Sequence, residues 1–84
     1  MMERHEFEIA AIYLPGPRRR TLDPAKVERL AEDMLENGQT TPIRCRHDKA
    51  KDRLVLVEGY HRLEALRALG ETTVVGYLVQ ARVH

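Results

Sequence analysis

The 84-residue chain holds one cysteine, Cys45, so no disulfide framework can support it. It contains no apolar run near the roughly 20 residues that a bilayer-crossing helix requires. Met1 to Glu8 is charged and has no apolar core of the secretory type. A cytoplasmic, reducing location is the expectation, with no membrane partner. His5, His47, His61 and His84 are scattered and show none of the spacing that zinc sites use. No internal repeat, low-complexity tract or interdomain linker is visible, and residues 1–84 read as a single domain.

Excess charge is also lacking. The formal net charge is +1, which by itself predicts no polyanionic partner. The distribution is uneven, however. Arg18, Arg19 and Arg20 are consecutive. Arg44, Arg46, Lys49, Lys51 and Arg53 cluster with only Asp48 and Asp52 among them, whereas Asp23 to Glu36 is mostly acidic. Such a molecule is electrically dipolar and favours an anion on one side.

What the chain does have is pattern. Apolar residues make up 43% of it, enough for a folded core. Phe7 to Leu14 reads as a strand ended by Pro15-Gly16-Pro17, with the arginine run following in an extended loop. Asp23-Pro24 opens a helix, with Asp as N-cap and Pro at the first helical position. Val27, Leu30, Ala31, Met34 and Leu35 form its apolar stripe, and Asn37-Gly38 stops it. Ile43 to His47 alternates as a strand with Ile43 and Cys45 inward. Asp48 to Arg53 is a polar turn, and Leu54 to Val57 returns as a hairpin partner, apolar throughout and therefore central. A second helix is expected from His61 to Leu69, with Leu63, Leu66 and Leu69 inward and Gly70 as the stop. Thr72 to Val83 is the last strand. The order β-α-β-β-α-β predicts a small α/β (α+β) domain, a mixed sheet packed by two main helices.

The chemistry gathers at the junction Glu58-Gly59-Tyr60-His61-Arg62. A helix N-terminus carries unpaired amides and about half a positive charge, so cations in its first turn are unfavourable unless an anion intervenes. His61 and Arg62 stand there, and Gly59 lets the backbone approach a ligand. Phosphate is the natural candidate, with Arg62 able to give planar bidentate contact. Lys26 occupies the first turn of the other helix. Arg18 and Arg19, with Arg20, could close over the same anion or bind a partner. Glu58 either holds Mg²⁺, acts as a base, or pairs with Arg62. Cys45 reads as a small core hydrophobe, because alternation puts Arg44 and Arg46 on the opposite face.

These residues carry a family resemblance. Pro-x-x-x-x-Leu-Asp-Pro-x-Lys-Val at Pro17–Val27, Gly-Tyr-His-Arg at Gly59–Arg62 and Ala-x-x-x-Leu-Gly at Ala65–Gly70 resemble the ParB/sulfiredoxin superfamily. The resemblance spans nearly the whole chain, from Phe7 to Arg82. It implies a nucleotide-binding domain in which Lys26, His61 and Arg62 hold phosphates of ATP, ADP or CTP, with Mg²⁺, beside the backbone that Gly59 and the amides from Tyr60 to Leu63 already offer. Relative to sulfiredoxins, Tyr60 stands where the catalytic cysteine is expected, so reduction of a peroxiredoxin sulfinic acid is not expected. Arg29 and Asp33 replace small hydroxyl residues, and Pro15-Gly16 stands where a phosphate-contacting arginine is expected. ParB partition proteins share a similar glycine turn and bind CTP and then DNA. No helix-turn-helix region is read in these 84 residues, so sequence-specific DNA binding is not an expectation. The ADP-dependent free-serine kinases carry a similar turn that includes the acid before the glycine, the place of Glu58. Two functional readings stay open. One is phosphotransfer or nucleotide hydrolysis with Glu58 as metal ligand or base. The other is a non-catalytic regulatory or DNA-associated module whose Arg44–Arg53 hairpin contacts phosphate backbones or a protein partner.

Overall fold

The computed structural model describes residues 3–80. Five strands and two helices follow in order: β1 (Glu3–Glu8), β2 (Ile12–Tyr13), α1 (Pro24–Asn37), β3 (Ile43–Asp48), β4 (Arg53–Glu58), α2 (Tyr60–Ala68) and β5 (Thr73–Val79). The strands form one mixed sheet in the order β1-β5-β3-β4-β2. β5 lies parallel to β3 and β2 parallel to β4, while the β1–β5 and β3–β4 pairs are antiparallel. The expected small α+β domain is the one observed, and β4 is interior to the sheet as its continuous apolar run implies.

The beginning of the chain departs from the sequence reading. Phe7 to Leu14 is not one strand. The chain leaves β1 at Glu8, makes a 3-10 turn over Ile9–Ala11 and re-enters the sheet at its far edge as β2. The whole stretch buries apolar residues, Phe7 before the turn, Ile9 within it and Ile12 after it, so one apolar run serves two edges. The step from Glu8 to Ile12 covers at most about 14 Å of chain, whereas the outer strands of a flat five-stranded sheet lie roughly 19 Å apart. The sheet must therefore coil strongly, as twisted sheets can. The arginine run is likewise not extended: Gly16–Thr21 is a 3-10 helix with Pro17 near its start. β5 ends at Val79, and the expected continuation to Val83 lies largely outside the described residues.

α1 forms for the expected reasons. Asp23 Oδ1 accepts the Ala25 amide at 3.1 Å, Pro24 begins the helix, and the Gly38 amide donates back to the Met34 carbonyl at 2.8 Å. Met34 is buried, and Val27, Leu30 and Ala31 pack on the core. Leu35, expected in the same stripe, is 76% exposed. At about 100° per residue it lies roughly 90° from the stripe's centre, too far round to reach the sheet.

The core lies between one sheet face and the helices. Phe7, Ile43, Cys45, Leu56 and Val74 come from the sheet, and Tyr60, Leu63, Ala65 and Leu66 from α2. Gly76 permits the close approach of Phe7 and Ile43 over β5, since a Cβ there would meet Ile43 Cγ1 at 2.8 Å and Phe7 Cε2 at 2.9 Å. Beside β3, the Gln39 amide stands in for a strand residue. Its Oε1 accepts from Val75 N at 2.8 Å and its Nε2 donates to Val75 O at 2.7 Å. Among the described residues no helix is long and apolar enough to cross a membrane.

Candidate functional site

α1 and α2 start at the same end of the domain. Between their first turns lies a cleft of about 320 Å³, lined by residues of both and by Arg18 and Thr21 of the 3-10 segment. Gly59 makes this geometry possible. Its φ is +106°, in the left-handed region, and a Cβ at this position would meet Ile43 Cγ2 at 2.6 Å. Glycine is the residue that can turn here and still pack on β3. The first intrahelical bond of α2 runs from the Leu63 amide to the Gly59 carbonyl at 2.9 Å. The amides of Tyr60, His61 and Arg62 precede it and have no intrahelical acceptor, and among the described residues no side chain caps this helix. The cleft thus receives three backbone donors and the positive end of a helix dipole.

The side chains are arranged around those amides. His61 Nε2 accepts the Asp23 amide at 3.0 Å. With that nitrogen an acceptor, the ring carries its proton on Nδ1, and the two helix starts are tied together. Arg62 is mostly buried, with 19% of its side chain exposed; it donates to the Pro42 carbonyl and lies 4.0 Å from Glu58 Oε1. Arg18 donates to the carbonyls of Leu56, at 3.2 Å, and Val57. It satisfies the edge of β4 where β2, two residues long, no longer covers it. Thr21 Oγ1 in turn donates to the Arg18 carbonyl at 2.7 Å. Lys26 and Leu30 of α1 complete the wall.

Of the residues read from the sequence, Arg18, Lys26, Glu58, Gly59, Tyr60, His61 and Arg62 all line this cleft. Arg19 does not; it is exposed and outside the lining, as is Arg20. Tyr60 is 8% exposed and belongs to the core, so its contribution at the start of α2 is its amide. Thr21 and Leu30 were not legible. Thr21 is an unspecified position of the Pro17–Val27 stretch and Leu30 belongs to the apolar stripe of α1, which reads as core, so only the tertiary fold brings them to the cleft. Glu58 is ion-paired twice, to Arg62 and, at 3.5 Å, to Arg44 Nε. Among the described residues no group of three or more His, Cys, Asp or Glu side chains could hold a metal ion.

Outside the cleft, Cys45 is fully buried, and burial raises its thiol pKa from 9.0 to about 11. It has neither access nor thiolate character. Of the basic hairpin, Arg44 pairs with Glu58, Arg53 pairs with Asp48 at 3.6 Å and covers the Tyr13 ring, and His47 meets Asp52 at 2.9 Å. Much of its apparent positive charge is locally offset.

Comparison with known proteins bears directly on this geometry. The family model of the ParB N-terminal domain matches residues 3–83. Among solved structures, sulfiredoxin from Arabidopsis thaliana is similar with a TM-score of 0.82 and 25% identity, covering 94% of this chain and 86% of that one. The C-terminally truncated chromosome-partitioning protein ParB from Caulobacter crescentus, complexed with CTP-gamma-S, has a TM-score of 0.76 and 24% identity over 98% of this chain and 46% of its own. A free serine kinase mutant in complex with AMP has a TM-score of 0.78 and 18% identity over 90% of this chain and 30% of its own. The chain therefore spans less than half the length of the latter two. No curated protein sequence matches it.

Proposed function

This chain belongs to the ParB N-terminal domain family, and we propose that it binds the phosphates of a nucleotide in the cleft between the starts of α1 and α2. The carrying observation is convergence. Three uncapped amides of α2, the first turn of α1, and Lys26, Arg18 and Arg62 meet in one cleft against a single acid, Glu58. Phosphate oxygens are acceptors that can use all of these donors at once. Structural relatives described as complexes with CTP-gamma-S, AMP and ADP support the reading.

In this reading Arg62 gives planar contact to a phosphate and Lys26 gives a point charge from the facing helix. His61 Nδ1–H is a further donor, already oriented by the Asp23 amide. Arg18 can exchange the carbonyls of β4 for a phosphate. Mg²⁺, where required, would travel with the phosphates and relieve their charge, since the chain offers no acidic cage of its own among the described residues. Catalysis by Glu58, which lies beside Arg62 and Arg44, is not part of this proposal. Sulfiredoxin chemistry is outside this proposal: position 60 is tyrosine, and the Cys45 thiol is buried and protonated. A hyperoxidised peroxiredoxin incubated with the protein, ATP, Mg²⁺ and thiol should keep its sulfinic acid.

Calorimetric titration with ATP, ADP, CTP, GTP and inorganic phosphate, each with and without Mg²⁺, tests the proposal. Saturable binding that strengthens with phosphate number supports it. No heat from any of them at millimolar concentration overturns it. Salt-sensitive binding of DNA with no nucleotide binding would instead favour the hairpin as the working surface.

A further inference from the structure

Glu58 stands at the rim of the cleft, and its two carboxylate oxygens face different cations. Oε1 lies 4.0 Å from Arg62 Nη2, and Oε2 lies 3.5 Å from Arg44 Nε. Arg62 belongs to the cleft. Arg44 does not line it: its neighbours Ile43 and Cys45 are fully buried in the core, so Arg44 projects from the other face of the sheet. The two faces meet at Glu58 because the β3–β4 ladder is irregular at that point. Cys45 stands opposite Leu56, yet Arg44 stands opposite Glu58, with Val57 skipped. In a regular ladder Arg44 would face Val57 and could not be Glu58's direct partner.

A carboxylate beside an anion site works against it. It repels the incoming phosphate and occupies the guanidinium that should receive it. Among the described residues, Arg44 is the only charged partner of Glu58 that lies outside the cleft. We propose that Arg44 is a positioning residue for the phosphate site: by holding Glu58 from behind, it frees Arg62 for the ligand. The inference rests on the phosphate-binding reading of the cleft. When an anion enters, Arg62 exchanges Glu58 for a phosphate oxygen, and Glu58 keeps a cationic partner throughout. No bond is made or broken, and the number of ion pairs is conserved. Without Arg44, the phosphate must compete with Glu58 for Arg62 and then share the cleft with an unpaired carboxylate.

The test is a double-mutant cycle read by titration with inorganic triphosphate at low salt. The four proteins are the native chain, R44A, E58Q and the R44A/E58Q pair, with thermal unfolding of each as a check on the fold. R44A should bind about three- to fivefold more weakly, the scale of a half-exposed ion pair. E58Q should bind as tightly as the native chain or more tightly, and adding R44A to it should change little. R44K, which keeps the charge at the same place, should recover most of the loss. The difference between R44A and the native chain should shrink as salt rises. Equal losses on adding R44A with and without Glu58 would make Arg44 a remote charge only and overturn the inference. An R44A protein that binds like the native chain would overturn it too. A native chain that fails to bind triphosphate would defeat the phosphate reading of the cleft itself, a separate and distinguishable failure.

Discussion

The two helices start together at one end of the domain and finish together at the other, and the two ends are opposites. At the start, Arg18, Lys26 and Arg62 surround uncapped amides in a polar cleft. At the finish, Met34, Leu66, Leu69 and Val74 floor a hollow of about 250 Å³ whose ionisable lining residues are Glu6 and Glu71. The packing problem is the same at both ends: two helix termini against the end of a coiled sheet. The difference lies in which backbone groups are left over, and in what the sequence sets beside them. N–H groups remain at one end and carbonyls at the other, each with its sign of partial charge. A solubilising surface would place acids at the helix starts and bases at the finishes. In the first turns this chain does the reverse, with Lys26 and Arg62 there and no acid, while the acids just before them are engaged, Asp23 as the cap of α1 and Glu58 in its ion pairs. That inversion is why the cleft, and not the hollow, is read as an anion site.

The two ends should differ most at their glycines. Gly59→Ala should destabilise the fold by about 2–5 kcal/mol, from left-handed strain together with the overlap on Ile43. Gly38→Ala, at the finish of α1, has open space around it, but its φ of +72° and ψ of −174° lie in a backbone region essentially reserved for glycine, so the change should cost about 1–3 kcal/mol with no added overlap. Chemical denaturation of both variants checks the ranking, and equal costs would mean that the Gly59 turn is not specially constrained.

Next in size is the functional asymmetry. Arg62→Ala should weaken nucleotide binding by about 1.5–3 kcal/mol, the range for a hydrogen bond to a charged group. Leu69→Ala, in the hollow, should lower stability and leave the affinity of the folded protein unchanged. A titration of the two variants with the best ligand of the panel would show whether the ends are as independent as their linings suggest.

Smaller effects follow from the cap and the thiol. Asp23→Ala removes the acceptor of the Ala25 amide and should cost about 1 kcal/mol, seen as a lowered midpoint of unfolding. Cys45 should resist a thiol reagent in the native state and react once the protein is unfolded. Because its folded pKa is raised, its contribution to stability is full below pH 9.0 and is lost as pH rises toward about 11. Denaturation midpoints measured across that interval should fall, and Cys45→Ala should flatten part of the fall.

The sequence made α1 legible because every signal agreed there: Asp23 as cap, Pro24 at the start, a 3.6-residue stripe and Gly38 as the stop. It made the α2 junction legible because a continuous apolar strand gave way at Gly59 to cations. β1 was harder to see. Glu3–Glu8 contains a single aliphatic or aromatic residue, Phe7, and owes its strand form to pairing with β5, about 70 residues away in the chain. The arginine segment folds as a 3-10 helix and not as an extended loop, a difference that proline and glycine do not announce, since they signal a turn without fixing its kind. Within the site, residues in local motifs were found: Lys26, Gly59, His61 and Arg62. Thr21 and Leu30 reach the cleft only through tertiary packing, and Arg44 reaches Glu58 only through an irregular ladder. Arg18 and Arg19 are adjacent and chemically alike, yet only one faces inward. Nothing local distinguishes them.

Anions should bind where the helices start and nowhere near where they finish. Amide chemical-shift mapping with inorganic triphosphate tests it most directly. Shifts should centre on Gly59 to Leu63 and include Lys26, with Gly38, Leu69 and Glu71 unmoved. Shifts centred on the hollow, or none at millimolar triphosphate, would contradict it.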